Sequence, residues 1–272
     1  MTTTPHRLAV IGGTGVYDPR MLSSLWEDTM STPFGSVPYQ VGRLEGQEVV
    51  FLSRHGAGHS IPPHLINYRA NIYALKKLGV VAVLATTAVG SLRMEYKPGD
   101  FVAVDQFLDF TKNRVNTFFD GGRRGVVHVD VTQPYCPSLR AVLAESAQET
   151  GITLHSQGCY VCAEGPRFET PAEVRLFASF GGDVVGMTNI PEAVLAREAE
   201  MCYATVSMVT NYGAGISSQN LTHGEVVEIM KQNSAKLRLL LEKTLTRIKA
   251  EADCSCRHAL QEYGGFDMTK FE

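Results

Sequence analysis

Arg7-Leu-Ala-Val-Ile-Gly-Gly-Thr-Gly15 decides the fold class. Leu8 to Ile11 is apolar at every position, with none of the alternation of a half-exposed strand. Such a run reads as a strand covered on both faces, ending in a glycine turn. Strands of that kind lie inside parallel sheets with helices on both sides. Val49 to Leu52 repeats the pattern and ends at Ser53-Arg54-His55-Gly56. Val80 to Ala85 repeats it again and ends at Thr86-Thr87-Ala88-Val89-Gly90-Ser91. Phe101 to Phe107 is a further apolar strand after the Pro98-Gly99 turn, and Val184 to Met187 and Ala204 to Thr210 complete the set.

Helical periods separate these strands. Asn67 to Leu78 places Ile72, Leu75 and Leu78 on one side, and Leu139 to Thr150 is amphipathic. Ile190 to Ala199 is helical with Pro191 in its first turn, where a missing N–H costs nothing. Thr222-His223-Gly224-Glu225 has the spacing of a capping box. It opens a long helix with Val226, Met230, Leu237, Leu241, Leu245 and Ile248 in one stripe. Strands alternating with helices predict an α/β fold with a mixed, largely parallel central sheet flanked by helices. No linker or repeat interrupts it, so a single domain is expected over residues 1–272, with a weakly patterned tail from about 253.

The 272 residues carry a net charge of -3, which argues against a nucleic-acid partner. No secretory signal is visible, and no apolar run approaches the roughly 20 residues of a membrane span, so a cytoplasmic protein is expected. Cys159 and Cys162 have CxxC spacing, but residues three apart in a strand face opposite ways, which spoils joint ligation. Cys254-Ser255-Cys256 follows the long helix and leaves a redox-active or structural disulfide open. His59 and His64 have ligand-like spacing, yet Ile61-Pro62-Pro63 forbids a continuous helix, and no metal or cofactor is expected.

In sheets of this class ligands sit beyond the carboxyl ends of the strands. Gly12 to Gly15 offers backbone N–H groups and the Thr14 hydroxyl to an anion. Arg54 offers a guanidinium fork beside the His55 imidazole. Thr86 to Ser91 is rich in hydroxyls and small residues. Glu164-Gly165-Pro166-Arg167-Phe168-Glu169-Thr170 and Thr210-Asn211-Tyr212 add a ring, a carboxylate and an amide. That lining suits a flat heterocycle with an oxo group and ring N–H groups. There is no GxSxG elbow and no activated cysteine, so the nucleophile is expected to come from solution.

Ile11-Gly-Gly-Thr-Gly15, Ser53-Arg-His-Gly56, Asn67-Tyr68-Arg69-Ala70-Asn71, Thr86 to Leu92, Glu164 to Phe168 and Gly186-Met-Thr188 with Pro191-Glu192 occur in order. Together they resemble the trimeric purine nucleoside phosphorylase and methylthioadenosine phosphorylase family, from about residue 7 to 245. The resemblance implies phosphorolysis of a purine nucleoside, with inorganic phosphate as co-substrate. It implies phosphate held by Thr14, Arg54, His55, Thr87, Ala88 and Thr188. Phe168 and Met187 would lie against base and ribose, with Glu169 and Asn211 facing the purine; Asn211, Glu169 and Arg54 are the expected catalytic residues. His128 would reach a neighbouring subunit's site, in a homotrimer or a dimer of trimers. The tail resembles thermophilic archaeal members, which also imply Cys136 and Cys202 as a disulfide pair.

Three positions separate the family's branches. Glu169 after the Phe, Asn211 rather than Asp, and His223 rather than a small apolar residue all point to inosine and guanosine. Asn can donate to an oxo oxygen or N7, whereas Asp accepts from an exocyclic amine. Thr14, Arg54-His55 and Thr86-Thr87 stand closer to the methylthio branch, so methylthioinosine or methylthioadenosine is the alternative substrate.

Overall fold

The computed structural model describes residues 6–12, 22–217 and 223–272. Thr14, Thr222 and the side chains of His223 and Glu225 lie outside the described residues. The Arg7–Gly12 run is β1, as its apolar sequence requires. Ser23–Thr32 (β2) and Gly35–Leu44 (β3) form an antiparallel hairpin, and β3 pairs antiparallel with Gln47–Ser53 (β4). Tyr68–Lys77 is helix α1, capped by the Asn67 side chain, which accepts from Ala70 N. Val80–Ser91 (β5) is the spine of the sheet.

Phe101–Ala103 (β6) and Gln106–Phe110 (β7) stand where one continuous strand was expected. The break has a cause in pairing. β7 runs parallel with Cys159–Ala163 (β9), whereas β6 pairs Cys202–Tyr212 (β11) and Leu154–His155 (β8). Val104 and Asp105 make the handover, donating to Thr205 O and Gly158 O. Pro137–Thr150 is α2, Pro171–Ser179 is α3 and Val184–Gly186 is β10. Glu192–Glu198 is α4, two residues inside the expected start because Pro191 is its N-cap. His223–Arg247 is α5.

Among the described residues the result is one eleven-stranded sheet in the order β2-β3-β4-β1-β5-β10-β9-β7, with β11 joining β5 to β6 and β8 beyond. It is an α/β fold with a mixed, mostly parallel sheet and flanking helices. Along β1 the side chains alternate between two cores. Ala9 and Ile11 pack with Ile72 and Leu75 of α1 and Leu195 of α4. Leu8 and Val10 pack with Leu139 and Leu143 of α2 and Leu237 and Leu241 of α5. The residues after 253 are better ordered than their sequence suggested: Leu260, Phe266 and Phe271 are buried in the first core. Phe271 lies edge-on to Tyr73 and Phe118, and Phe266 stacks on it at 5.2 Å. No helix among the described residues is long and apolar enough to cross a membrane.

Candidate active site

The exits of β1 and β4 meet, since Arg54 N donates to Gly12 O at 3.0 Å. The Arg54 side chain, only 2% exposed, turns inward rather than outward to solvent. Its Nε and Nη2 donate to the two oxygens of Glu192 at 2.7 and 2.6 Å, and Nη1 donates to Thr86 O at 2.9 Å. Tyr203 donates its hydroxyl to the same carboxylate at 2.8 Å. Burial alone would disfavour the guanidinium's charge, but Glu192 outweighs this and raises its pKa. The expected open fork is therefore half engaged. Of its five N–H groups, one on Nη1 and one on Nη2 have no acceptor among the described residues. An anion there would meet a fixed guanidinium whose charge is already balanced.

His55 is 8% exposed. Its Nδ1 lies 2.8 Å from Ile61 O, which can only accept, so the proton sits on Nδ1 and Nε2 is a bare acceptor in the neutral ring. Burial pushes the imidazole down to about 4, helped by Arg54 and by His59 and opposed by the Ile61 carbonyl. The His59 ring stacks on it at 4.1 Å. His55 thus offers a lone pair, suited to the O–H of a monoprotonated phosphate rather than to a bare anionic oxygen.

The Thr86 to Ser91 stretch was expected beyond a strand end; it lies within β5, paired residue by residue with β11. Thr87 and Ser207 share a hydrogen bond at 2.8 Å, and both are buried. Ala88 is exposed. Thr188 is buried, its N–H donating to the Tyr160 hydroxyl at 3.3 Å.

Asn211 sits just past a register shift in the β5–β11 ladder. Its Nδ2 donates to Tyr212 O at 2.9 Å, and its Oδ1 accepts from Thr210 Oγ1 at 2.8 Å. The carbonyl of Tyr212 fixes the orientation, because a flipped amide would set two acceptors face to face. One N–H remains for a ligand. A Cβ at Gly90 would come within 3.0 Å of Nδ2, so glycine there gives the amide its room.

The Gly165 to Thr170 loop is clamped at the start of α3. Thr170 and Glu173 form a reciprocal capping box, and Arg167 grips Glu173 at 2.7 and 2.8 Å. Gly165 has φ +69°, and a Cβ there would strike Met187 Sδ at 2.6 Å, so this loop and the Met187 loop pack closely. Gly215 approaches Pro171 in the same way, which joins the exit of β11 to the start of α3. Glu169 holds a buried Oε1 with no partner among the described residues, and burial raises its carboxyl pKa. Phe168, 43% exposed, presents an open ring beside it.

Contacts join these segments pairwise: Arg54 reaches Thr86 of β5, Thr87 meets Ser207 and Gly90 meets Asn211 between β5 and β11, and the Gly165 loop packs on Met187. His128 stands apart: it is exposed, and its backbone N–H donates to the Tyr263 hydroxyl at 3.3 Å. Thr14 and the His223 side chain lie outside the described residues. Sequence reasoning did not assign roles to Glu192, Tyr203 or Ser207. An acid in the first turn after Pro191 was the one available signal. Tyr203 and Ser207 looked like ordinary strand residues.

Residues 7–246 match the phosphorylase superfamily, and the chain belongs to it. A probable 6-oxopurine nucleoside phosphorylase of Dictyoglomus turgidum is 58% identical over 257 residues, covering 94% of this chain and 97% of that protein. The 6-oxopurine nucleoside phosphorylase of Pyrococcus furiosus is 54% identical over 260 residues, covering 94% and 98%. Among solved structures, the methylthioadenosine phosphorylase of Schistosoma mansoni in complex with adenine gives a TM-score of 0.89 at 33% identity, covering 95% and 97%.

Proposed function

We propose that this chain is a 6-oxopurine nucleoside phosphorylase, which cleaves inosine and guanosine reversibly with inorganic phosphate to give the free base and ribose 1-phosphate. The similarity to two proteins of that name supports the reaction. The observation that carries the choice of base is the forced orientation of Asn211, which leaves one amide N–H without an acceptor among the described residues. A 6-oxopurine presents O6 and N7 as acceptors and N1–H as a donor. The remaining N–H of Asn211 answers one of the first two, and the bare oxygen of Glu169 answers the third.

The chemistry follows from charge. As the glycosidic bond stretches, positive charge grows on the ribosyl carbon and negative charge on the departing base. Phosphate held by Arg54, His55, Thr87, the Ala88 backbone and Thr188 lies beside the first, and the Asn211 amide stabilises the second. Preorganised donors of this kind contribute several kcal/mol to lowering a barrier. No enzyme nucleophile is needed. The exposed face of Phe168 suits a base or a neighbouring copy, and a homotrimer or dimer of trimers would bring His128 of one copy to the site of the next.

A panel of inosine, guanosine, adenosine, methylthioadenosine and methylthioinosine, each with and without phosphate, tests this reading. Inosine and guanosine should be cleaved best, and only with phosphate. Equal cleavage in phosphate-free buffer, or a clear preference for the 6-amino substrates, would overturn it.

A further inference from the structure

Arg114 is a second buried arginine, just past β7, with a side chain 2% exposed. Its Nη1 donates to Ile190 O at 2.7 Å and to the Tyr68 hydroxyl at 3.2 Å. Its Nη2 donates to Glu164 O at 2.8 Å and to Ala163 O at 3.3 Å. Nε lies buried, 3.3 Å from Glu164 Oε2, without the alignment of a hydrogen bond. The same carboxylate oxygen accepts from Lys112 N at 3.0 Å, so Glu164 also holds the segment that carries Arg114. Every Nη hydrogen of Arg114 is thus committed to the protein itself. Arg54 keeps N–H groups for an anion; Arg114 has no Nη hydrogen to offer a ligand.

The acceptors belong to segments with different tasks. Ala163 ends β9, and Glu164 leads into the Gly165 to Thr170 loop with Phe168 and Glu169. Ile190 stands just before α4, whose first residue, Glu192, grips Arg54. Tyr68 opens α1 and donates its hydroxyl to Pro63 O at 3.0 Å. We propose that Arg114 is a positioning residue, which locks the base loop to the start of α4 and so sets how far the base stands from the anion. This rests on the reading of the reaction given above. Attack needs the sugar carbon held between two groups of fixed separation, and misplacement by about 1 Å can cost about a hundredfold in rate. The loop depends on the clamp more than α4 does. α4 keeps Leu195 and Ala196 in the core and the Arg54–Glu192 pair. The loop has the capping box at its far end and, at its near end, the two carbonyls on Arg114. Lysine does not substitute here. Its ammonium puts three donors on one atom, whereas these acceptors are divided between two nitrogens of a rigid plane.

The experiment separates position from stability and uses the full chain. Arg114→Ala should raise the inosine KM at least about tenfold, and the phosphate KM less. Guanidinium chloride, well below denaturing concentration, should refill the vacated space and recover part of the loss, and ammonium chloride should not. A merely structural role predicts the reverse, since guanidinium weakens a destabilised fold. Arg114→Lys should keep the kinetic defect. Trypsin gives a readout that needs no activity. Arg167, with a side chain 65% exposed, offers a cleavable bond before Phe168. The clamped loop of the parent should resist, and both variants should be cut there first, into residues 1–167 and 168–272. Inosine and phosphate KM values that rise together, guanidinium that only inhibits, rapid cutting of the parent at Arg167, or cuts spread along the variant chains would each overturn the proposal. The trypsin result on the parent stands even if both variants fail to fold. A parent that cleaves no inosine would refute the reaction proposed above, and the clamp would then be judged by trypsin.

Discussion

Cutting the ion pair between Arg54 and Glu192 probes the frame of the anion site. The two side chains are 2% and 0% exposed, and bonds of 2.7 and 2.6 Å join them. A hydrogen bond to a charged group contributes about 1.5–3 kcal/mol, so two sum to about 3–6 kcal/mol. That agrees with the loss of about 3–5 kcal/mol expected when one partner of a buried pair is deleted and its charge stranded. Glu192→Ala should therefore destabilise by about 3–5 kcal/mol, with the Tyr203 hydroxyl left unmet as well. Arg54→Ala should cost a similar amount. The double variant strands no charge, so its loss should fall short of the sum by about 2–3 kcal/mol. Denaturant unfolding of the four proteins at neutral pH, with slopes compared, measures this. Strict additivity would refute the energetic coupling of the two buried charges. The same variants carry a kinetic arm: Arg54→Ala should raise the phosphate KM at least about tenfold, equivalent to about 1.4 kcal/mol of binding, and change the nucleoside KM less. An unaltered phosphate curve would remove Arg54 from the anion site.

Asn211→Asp puts a carboxylate against the Tyr212 carbonyl, where only a donor fits. It should lower kcat/KM for inosine by about tenfold to a hundredfold, from about 1–3 kcal/mol of unmet pairing, and raise adenosine turnover relative to inosine. An unchanged ratio of the two substrates would sink the base assignment. Glu169→Gln should lose inosine activity while matching or exceeding the parent's stability at pH 7, because it removes the charge of a carboxyl whose ionised form burial disfavours. A less stable, fully active variant would contradict this. For His55, the folded pKa of about 4 lies below the ordinary value of about 6.5. The unfolded chain then binds a proton that the native one does not, so stability should fall as pH drops from about 6.5 to about 4 and be indifferent to this group above that window. Unfolding free energies across pH should show a shallower fall in His55→Gln, and an identical slope would rule out His55 as its source.

Much of the fold could be read from Leu8 to Ile11 and its two relatives, since a strand covered on both faces has no choice but to be apolar throughout. The β2–β3 hairpin escaped because β2 is exposed along most of its length, so no burial constrains its residues. The strand from Val80 was cut short at Ala85 because threonine and glycine resemble a turn; burial against β11 carries it to Ser91. The tail seemed featureless because its few apolar residues are widely spaced, yet Phe266 and Phe271 reach the core from short turns of no fixed period. At the site, residue types were legible and pairings were not. Arg54 announced an anion, but the Glu192 that occupies much of its fork lies 138 positions away. Of the four cysteines whose sulfur atoms lie within 4.8 Å of one another, the resemblance implied only the nearness of Cys136 and Cys202; the approach of Cys254 and Cys256 to them is a product of topology.

The slip in the ladder between Val209 and Asn211 carries a consequence of its own. Side chains along a strand point alternately to one side and the other, so whatever follows an irregularity inherits its facing from that irregularity. Thr210 is the residue the slip adds; without it the ladder would run evenly, with Asn211 still opposite Gly90 and Tyr212 opposite Ser91. Deleting it would instead take away the hydroxyl that donates to the amide oxygen of Asn211, so the aim of this amide depends on chain length as well as on substitution.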